Sequence, residues 1–488
     1  MNELPLGWIE IPLGEELNCR KGKKPNELFT EINDDLVPYV DIKAFEKNQV
    51  RQYAKPSDGV LADKHDSLMV WDGARSGLIG NGIAGVIGST LMRITPKTSD
   101  RKYLHHFLKS KYNEINHNPR GAGIPHVNPD LLFGFDYSYP PLNEQKRIAD
   151  KLDTVLARVD AAHERLDRIP NILKQFRQSV LASATSGKLT EEWRESKSLG
   201  DVKDYIEYLR EVRISALEKT SDRKSKLPEP SSILDIEAPA IPDGWVYVSL
   251  SSLSTRVTYG LTVRPAYVKT GVPVISAKEI RSGKVDYEFA NLISIADYKI
   301  QREKCKIFNG DVLFSKTGSI GHVAIANQDI PACSSQNIAV VTPLINEKYL
   351  ACIFRSPYIQ DLAQKSAMGN AVPDLQLGVL SQFPIPLPTE QEQKEIVRRV
   401  ETLFALADKL EARYLQARAR VEKLTPALFA KAFRGELVEQ DPNDEPAEKL
   451  LERVKAEKAV VPVSKSKAKK AVVTAAEPKR RGRKNKVA

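Results

Sequence analysis

The sequence predicts an α+β protein written twice: two similar β-rich domains separated by two long helices that pair as an antiparallel coiled coil, with a pseudo-two-fold internal repeat. Three observations carry this prediction. Short motifs recur along the 488 residues at a nearly constant spacing. Two segments place an apolar residue at alternating steps of four and three. The regions before them hold short β-branched runs bounded by Gly, Asp and Pro.

The repeat is read first. Leu4-Pro5 precedes Gly7-Trp8, and Ile241-Pro242 precedes Gly244-Trp245 in the same arrangement. Gly121 and Ile124-Pro125 match Gly369 and Val372-Pro373, and Glu144-Gln145-Lys146 with Ile148 match Glu392-Gln393-Lys394 with Ile396. Gly187 and Leu189 match Gly435 and Leu437. The spacing is about 248 residues from Gly121 onward and about 237 at the Gly-Trp pairs. The copies therefore agree at their beginnings and C-terminal ends and diverge between, as two similar scaffolds with different variable surfaces do.

Each copy ends in a long helix. The first seam runs from Ile148, Leu152, Val155 and Val159 to Leu173, Phe176 and Val180. The second is Ile396, Val400, Leu403, Ala407, Leu410, Tyr414, Ala417, Val421, Leu424 and Leu428. Such a heptad pattern is a coiled-coil seam, and the shared register makes pairing of the two helices more economical than packing each on its own domain. Pro170 and Pro426 should kink or locally break these helices, and Gly187 and Gly435 should stop them.

The variable regions read as β-rich with some helix, from runs such as Ser67–Val70, Thr90–Ile94, Asp311–Phe314 and Ile338–Val341. Between the copies, a segment from Asp201 to about Leu227 looks helical and then charged, and Pro228 to Pro242 is a proline-rich linker. The net charge is +10, but about eleven Lys or Arg lie from Lys458 onward against the single acid Glu477. A nucleic-acid surface on the folded part must therefore be a local patch.

Several function classes are excluded. Four cysteines without a CxxC pair argue against a disulfide framework and suit a reducing cytoplasm. Neither a signal peptide nor a membrane span is legible. Gly80-Asn81-Gly82-Ile83-Ala84-Gly85 matches a dinucleotide fingerprint literally, but β-branched residues follow, so it reads as a glycine-rich β-turn. Pro140-Pro141 lacks the polar and aromatic neighbours of an adenine methyltransferase motif, and no phosphate loop is present. The seven histidines lack metal spacing and read as scattered and solvent-facing. Neither a catalytic centre, a metal site nor a cofactor is expected.

What remains suits nucleic acid. Arg20-Lys21-Gly22-Lys23-Lys24 is a basic loop in copy one, and Tyr259 with Arg264 marks its counterpart in copy two. Arg75-Ser76 follows, and Lys316-Thr317 and Gln336-Asn337 sit in the matching part of copy two, while Lys43 and Lys278 complete the candidate DNA contacts. Arg and Lys can bond guanine, Asn and Gln can bond adenine, and hydroxyls can hold phosphates. Each residue alone also fits a solvated loop. The tail, ending Pro478-Lys479-Arg480-Arg481-Gly482-Arg483-Lys484, cannot build a core, and its Arg-Gly-Arg element is similar to an AT-hook.

The Gly-Trp pairs, the Glu-Gln-Lys helix starts after Pro140 and Pro388, and the helix ends Phe176–Leu189 and Ala430–Leu437 together resemble the specificity subunits of Type I restriction-modification systems. The likeness reaches about Val454, and the lysine-rich tail lies outside it. It implies that each variable region is a target-recognition domain reading one half of a split double-stranded DNA sequence. It also implies that the paired helices hold these domains apart and dock modification subunits, two per chain. Those subunits bind S-adenosylmethionine and methylate adenine, and restriction subunits add ATP-driven translocation and cleavage. The expected division is 1–141 and 241–388 for the recognition domains and 142–189 and 389–437 for the helices. A linker at 190–240 and a basic tail at 438–488 complete it. A coiled-coil scaffold without DNA affinity and a self-contained methyltransferase or nuclease are the competing readings.

Overall fold

The computed structural model describes residues 4–121, 123–220, 230–261, 266–300, 305–327, 330–369 and 371–460. They form two compact units. The first holds the chain up to His163 and from Arg420 onward, and the second holds Glu164–Ala419.

In the first unit, the strands Leu17–Lys21, Leu91–Pro96, Ser67–Val70 and Ile79–Asn81 hydrogen-bond in that order as an antiparallel sheet. A second sheet runs Tyr53–Ala54, Val37–Val40, Gly85–Ile87 and Val60–Ala62, with a parallel central pair. Ile9–Pro12 pairs with Asp136–Tyr139. The second unit repeats this strand for strand. Ser254–Tyr259, Ile338–Pro343, Val312–Ser315 and Val323–Ile325 form one sheet. Asn291–Ile293, Val272–Ile275, Ala332–Ser334 and Lys306–Ile307 form the other, again with a parallel central pair. Val246–Ser249 pairs with Pro384–Leu387.

The repeated motifs are the joints of this architecture. Trp8 donates its indole N–H to Glu144 at 2.9 Å, and Trp245 donates to Glu392 at 2.9 Å. Gln145 accepts from the Asp100 backbone N–H at 2.7 Å and Gln393 from that of Asn346 at 3.2 Å. Asp100 and Asn346 are themselves the N-caps of the helices Arg101–Ser110 and Glu347–Arg355. The Glu-Gln pair thus ties the start of each long helix to the first strand and to the capped helix of its own unit.

The long helices run Leu142–Thr185 and Glu390–Ala432. In the first unit Ile148, Ala149 and Leu152 share a core with Phe429 and Ala432. In the second, Arg177 pairs with Asp408 and Glu411 at 2.7 Å each, and Arg418 reaches Asp167 at 3.7 Å, which makes the segments antiparallel. Each helix also packs on a β-domain near its start, as Ile396, Val397 and Val400 do in the second unit. The two packing modes are therefore combined rather than exclusive.

Some expectations need correction. Neither Pro170 nor Pro426 breaks its helix, and both lie inside continuous helical backbone. The first seam is buried or half-buried throughout, but in the second Leu410 and Leu424 are exposed at 42% and 44%. Val397 is buried one position off the seam, because the helix wall facing its domain is wider than a two-position stripe. His105 and His106 are buried rather than solvent-facing, bonded to Ser67 and Asp153 at 2.9 and 2.7 Å.

Gly187 and Gly435 end the helices with φ of +73° and +74°. A Cβ on Gly187 would lie 2.3 Å from Pro242, and one on Gly435 2.4 Å from Pro5. Each helix end therefore closes on a Gly-Trp segment, and the end of the second helix returns to the chain's beginning. The helix Val202–Thr220 occupies the predicted helical stretch after the first, and Ala447–Val460 follows the second.

Candidate nucleic-acid interface

In each unit three segments converge at the open end of the first sheet. In the first unit they are the end of strand Leu17–Lys21, the turn after Ser67–Val70, and the loop Arg120–Val127. The turn and loop are stitched by Gly73 N–H to Pro125 O at 2.8 Å and Val127 N–H to Trp71 O at 2.9 Å. In the second unit Gly318 N–H bonds Pro373 O at 2.8 Å and Leu375 N–H bonds Lys316 O at 2.8 Å. Arg120 and His126 exchange backbone bonds, as do Met368 and Asp374. The backbone frame is one frame.

Strand register places Lys21 opposite Met92 and Tyr259 opposite Ala339, so these two occupy the same place. The side chains on the frame differ. In the first unit Lys21 approaches Asp72 at 2.9 Å, and His126 Nδ1 lies 2.6 Å from the same carboxylate. In the second, Lys316 pairs with Asp374 at 2.6 Å, Thr317 donates to Asp374, and the Lys316 ammonium sits 5.8 Å from the centre of the Tyr259 ring. Partial burial opposes charge on Asp374, but Lys316 and Thr317 together hold its carboxyl below the usual range. A frame that presents different donors and acceptors in each copy suits the reading of different base edges.

The candidate residues divide on this frame. In the first unit Lys21 meets Asp72; in the second, Lys316 and Thr317 meet Asp374 beside Tyr259, and the Asn337 backbone carbonyl accepts from the Lys316 N–H at 2.9 Å. Arg20 and Lys21 lie in a strand rather than a loop. Arg75 is exposed and pairs with Glu46 at 3.0 Å, beside Lys43 on the short helix Ile42–Lys47. Lys23, Lys24 and Lys43 are exposed and ion-pair with no other described residue. Gln336 and Lys278 are also exposed. Two candidates do not face the surface: Ser76 is fully buried, and Lys316 is 8% exposed and already neutralised. Arg264, the AT-hook-like element and most of the tail lie outside the described residues.

Asp72, Arg120, His126 and Asp374 were not among the sequence-based candidates. Their signal was present: His126 and Asp374 directly follow the matched Ile124-Pro125 and Val372-Pro373, so they are differing residues inside a repeated frame. Among the described residues no cluster of three His, Cys, Asp or Glu side chains could hold a metal ion, and no helix is long and apolar enough to cross a membrane.

Comparison with known proteins agrees with the internal repeat. The model of the Type I restriction modification DNA specificity domain matches residues 5–171 and again 242–417. The chain is 30% identical to the Type I restriction enzyme EcoBI specificity subunit of Escherichia coli, over 95% of each chain. It is also 30% identical to the EcoKI specificity subunit of Escherichia coli strain K12, over 96% of this chain and 99% of that one. The fold is similar to the HsdS subunit from Thermoanaerobacter tengcongensis, with a TM-score of 0.53 and 18% identity over 89% of this chain and 98% of that one.

Proposed function

Because the chain belongs to the Type I restriction-modification DNA specificity family, we propose that it reads a bipartite duplex target, one half with residues 1–141 and the other with 241–388, and so directs adenine methylation or restriction by partner subunits. It is the DNA specificity subunit of such an enzyme and a non-catalytic member of the complex. Two modification subunits dock on each chain, bringing S-adenosylmethionine, and restriction subunits bring ATP-driven cleavage. The complex works in the cytoplasm.

The observation that supports this reading best is the common loop frame with unlike polar groups: Lys21, Asp72 and His126 in one unit, and in the other Tyr259, Thr317 and an Asp374 held from beneath by buried Lys316. Frame bonds position each unit alike, and the exchanged side chains alter which bases satisfy them. Methylome sequencing of a host expressing this chain with its modification subunit tests the reading. The expected result is one split motif methylated once in each half. Methylation of a continuous motif, or none above background, would contradict it.

A further inference from the structure

We infer that Ile124 and Val372 form a duplicated apolar wedge that bears on the DNA at each half-site and supports a distorted base step there, independently of which bases are read. The inference rests on the bipartite-reading proposal above. Ile124 is 64% exposed and Val372 61% exposed, although both are aliphatic and each precedes a proline whose carbonyl is tied to the adjacent turn. Single exposed aliphatic residues are ordinary on protein surfaces. These two occupy the same place in two copies, on loops opened by Gly121 and Gly369 at φ of +99° and +98°. The repeated bonds between Arg120 and His126 and between Met368 and Asp374 close each loop at its base.

The loops mix kept and changed positions. Glycine, the aliphatic residue and proline are kept, while Arg120 becomes Met368 and His126 becomes Asp374. A position that is the same in both copies cannot distinguish two different half-sites, so its work is common to both. That work is done beside positions that differ, Arg120 against Met368 and His126 against Asp374. A protein partner bound identically to each unit would need constant surroundings, whereas different DNA half-sites need different ones. The polar neighbours of Ile124 and Val372 vary as they would against DNA. Proteins insert such apolar side chains between base steps to hold them partly unstacked, and enzymes that act on a base take it out of the stack.

The test uses the full chain assembled with its modification subunit, with unsubstituted duplexes for the methylation rate and, for fluorescence, duplexes carrying 2-aminopurine in place of the target adenine of one half-site or the other. Ile124→Ser should reduce both the fluorescence rise and the methylation rate about tenfold in the half read by the first unit, the change expected when about 1.4 kcal/mol of support for unstacking is lost. The other half should be unaffected, and Val372→Ser should mirror the pattern. Ile124→Met should restore most of the signal, and co-purification of the modification subunit should not change. The wedge is overturned if the variants release the modification subunit, alter the methylated bases, or change nothing. It is overturned alone if the unaltered complex binds its motif without a fluorescence rise. Failure of that complex to bind any split motif would overturn the bipartite reading as well.

Discussion

Trp245 donates its indole N–H to Glu392 at 2.9 Å, and the other carboxylate oxygen of Glu392 accepts from Thr190 at 2.7 Å and Arg194 at 2.6 Å. The matching carboxylate, Glu144, takes Trp8 on one oxygen, while its other oxygen is buried with no hydrogen-bond partner among the described residues. One joint is fully satisfied and the other carries an uncompensated lone pair. Burial, partly opposed by the Trp8 hydrogen bond and by Arg147, raises the Glu144 carboxyl from its ordinary value, so the fold penalises its charge.

Opposite responses to one substitution follow. Glu392→Gln removes the buried charge that faces half-buried Arg194 and should destabilise the second unit by about 2 kcal/mol. Glu144→Gln keeps an acceptor for Trp8 and removes a strained charge, so the first unit should change by less than about 0.5 kcal/mol or gain stability at neutral pH. The raised pKa fixes the sign: the favourable contribution is present at low pH and is lost as pH rises through the folded value, so the gain from Gln should fade on acidification. Denaturant unfolding of both variants at pH 5 and pH 8 measures this, and equal losses in the two variants would contradict it.

Acid should weaken the first unit through His105. Burial, reinforced by Lys109, lowers its pKa from 6.5 to about 3. A depressed pKa leaves its stabilising contribution intact above about 6.5 and removes it as pH falls toward 3, since only the unfolded chain takes up the proton. The loss at pH 4 should be about 3 kcal/mol. His105→Gln should abolish that pH-dependent part, as read from thermal unfolding between pH 4 and pH 8. In the second unit the corresponding strand begins with Val312 and the corresponding helix position is Ala351, so the frame does not require the polar Ser67–His105 pair.

The frame was legible because its joints are written twice in short motifs, although their partners lie far apart in the chain. Gly187 and Gly435 must adopt positive φ under a proline, and Glu144 and Glu392 must meet a tryptophan, so each leaves a short motif. Exposed Leu410 and Leu424 were not legible as such, because a leucine on a solvent face costs little and keeps the heptad pattern unbroken. The reading surface was half legible. Lys21 meets Asp72 across 51 residues and His126 meets it across 54, and only strand pairing brings them together. A basic residue announces itself in a sequence, but the acid that orients it does not.

The tail past Lys458 should raise general DNA affinity without choosing the site. Its eleven or so cations and low complexity favour diffuse phosphate attraction. Deleting it should lower the slope of log affinity against log salt and leave the methylated motif intact. A changed motif would count against this.

The central claim is that each half of the target is read by its own unit on a shared frame. Exchanging residues 5–139 for the corresponding region of a relative with a different target, then sequencing methylated sites, tests it most directly. The account predicts a new sequence in one half-site, with the other half unchanged. A change in both halves, or in neither while the complex still methylates, would contradict it.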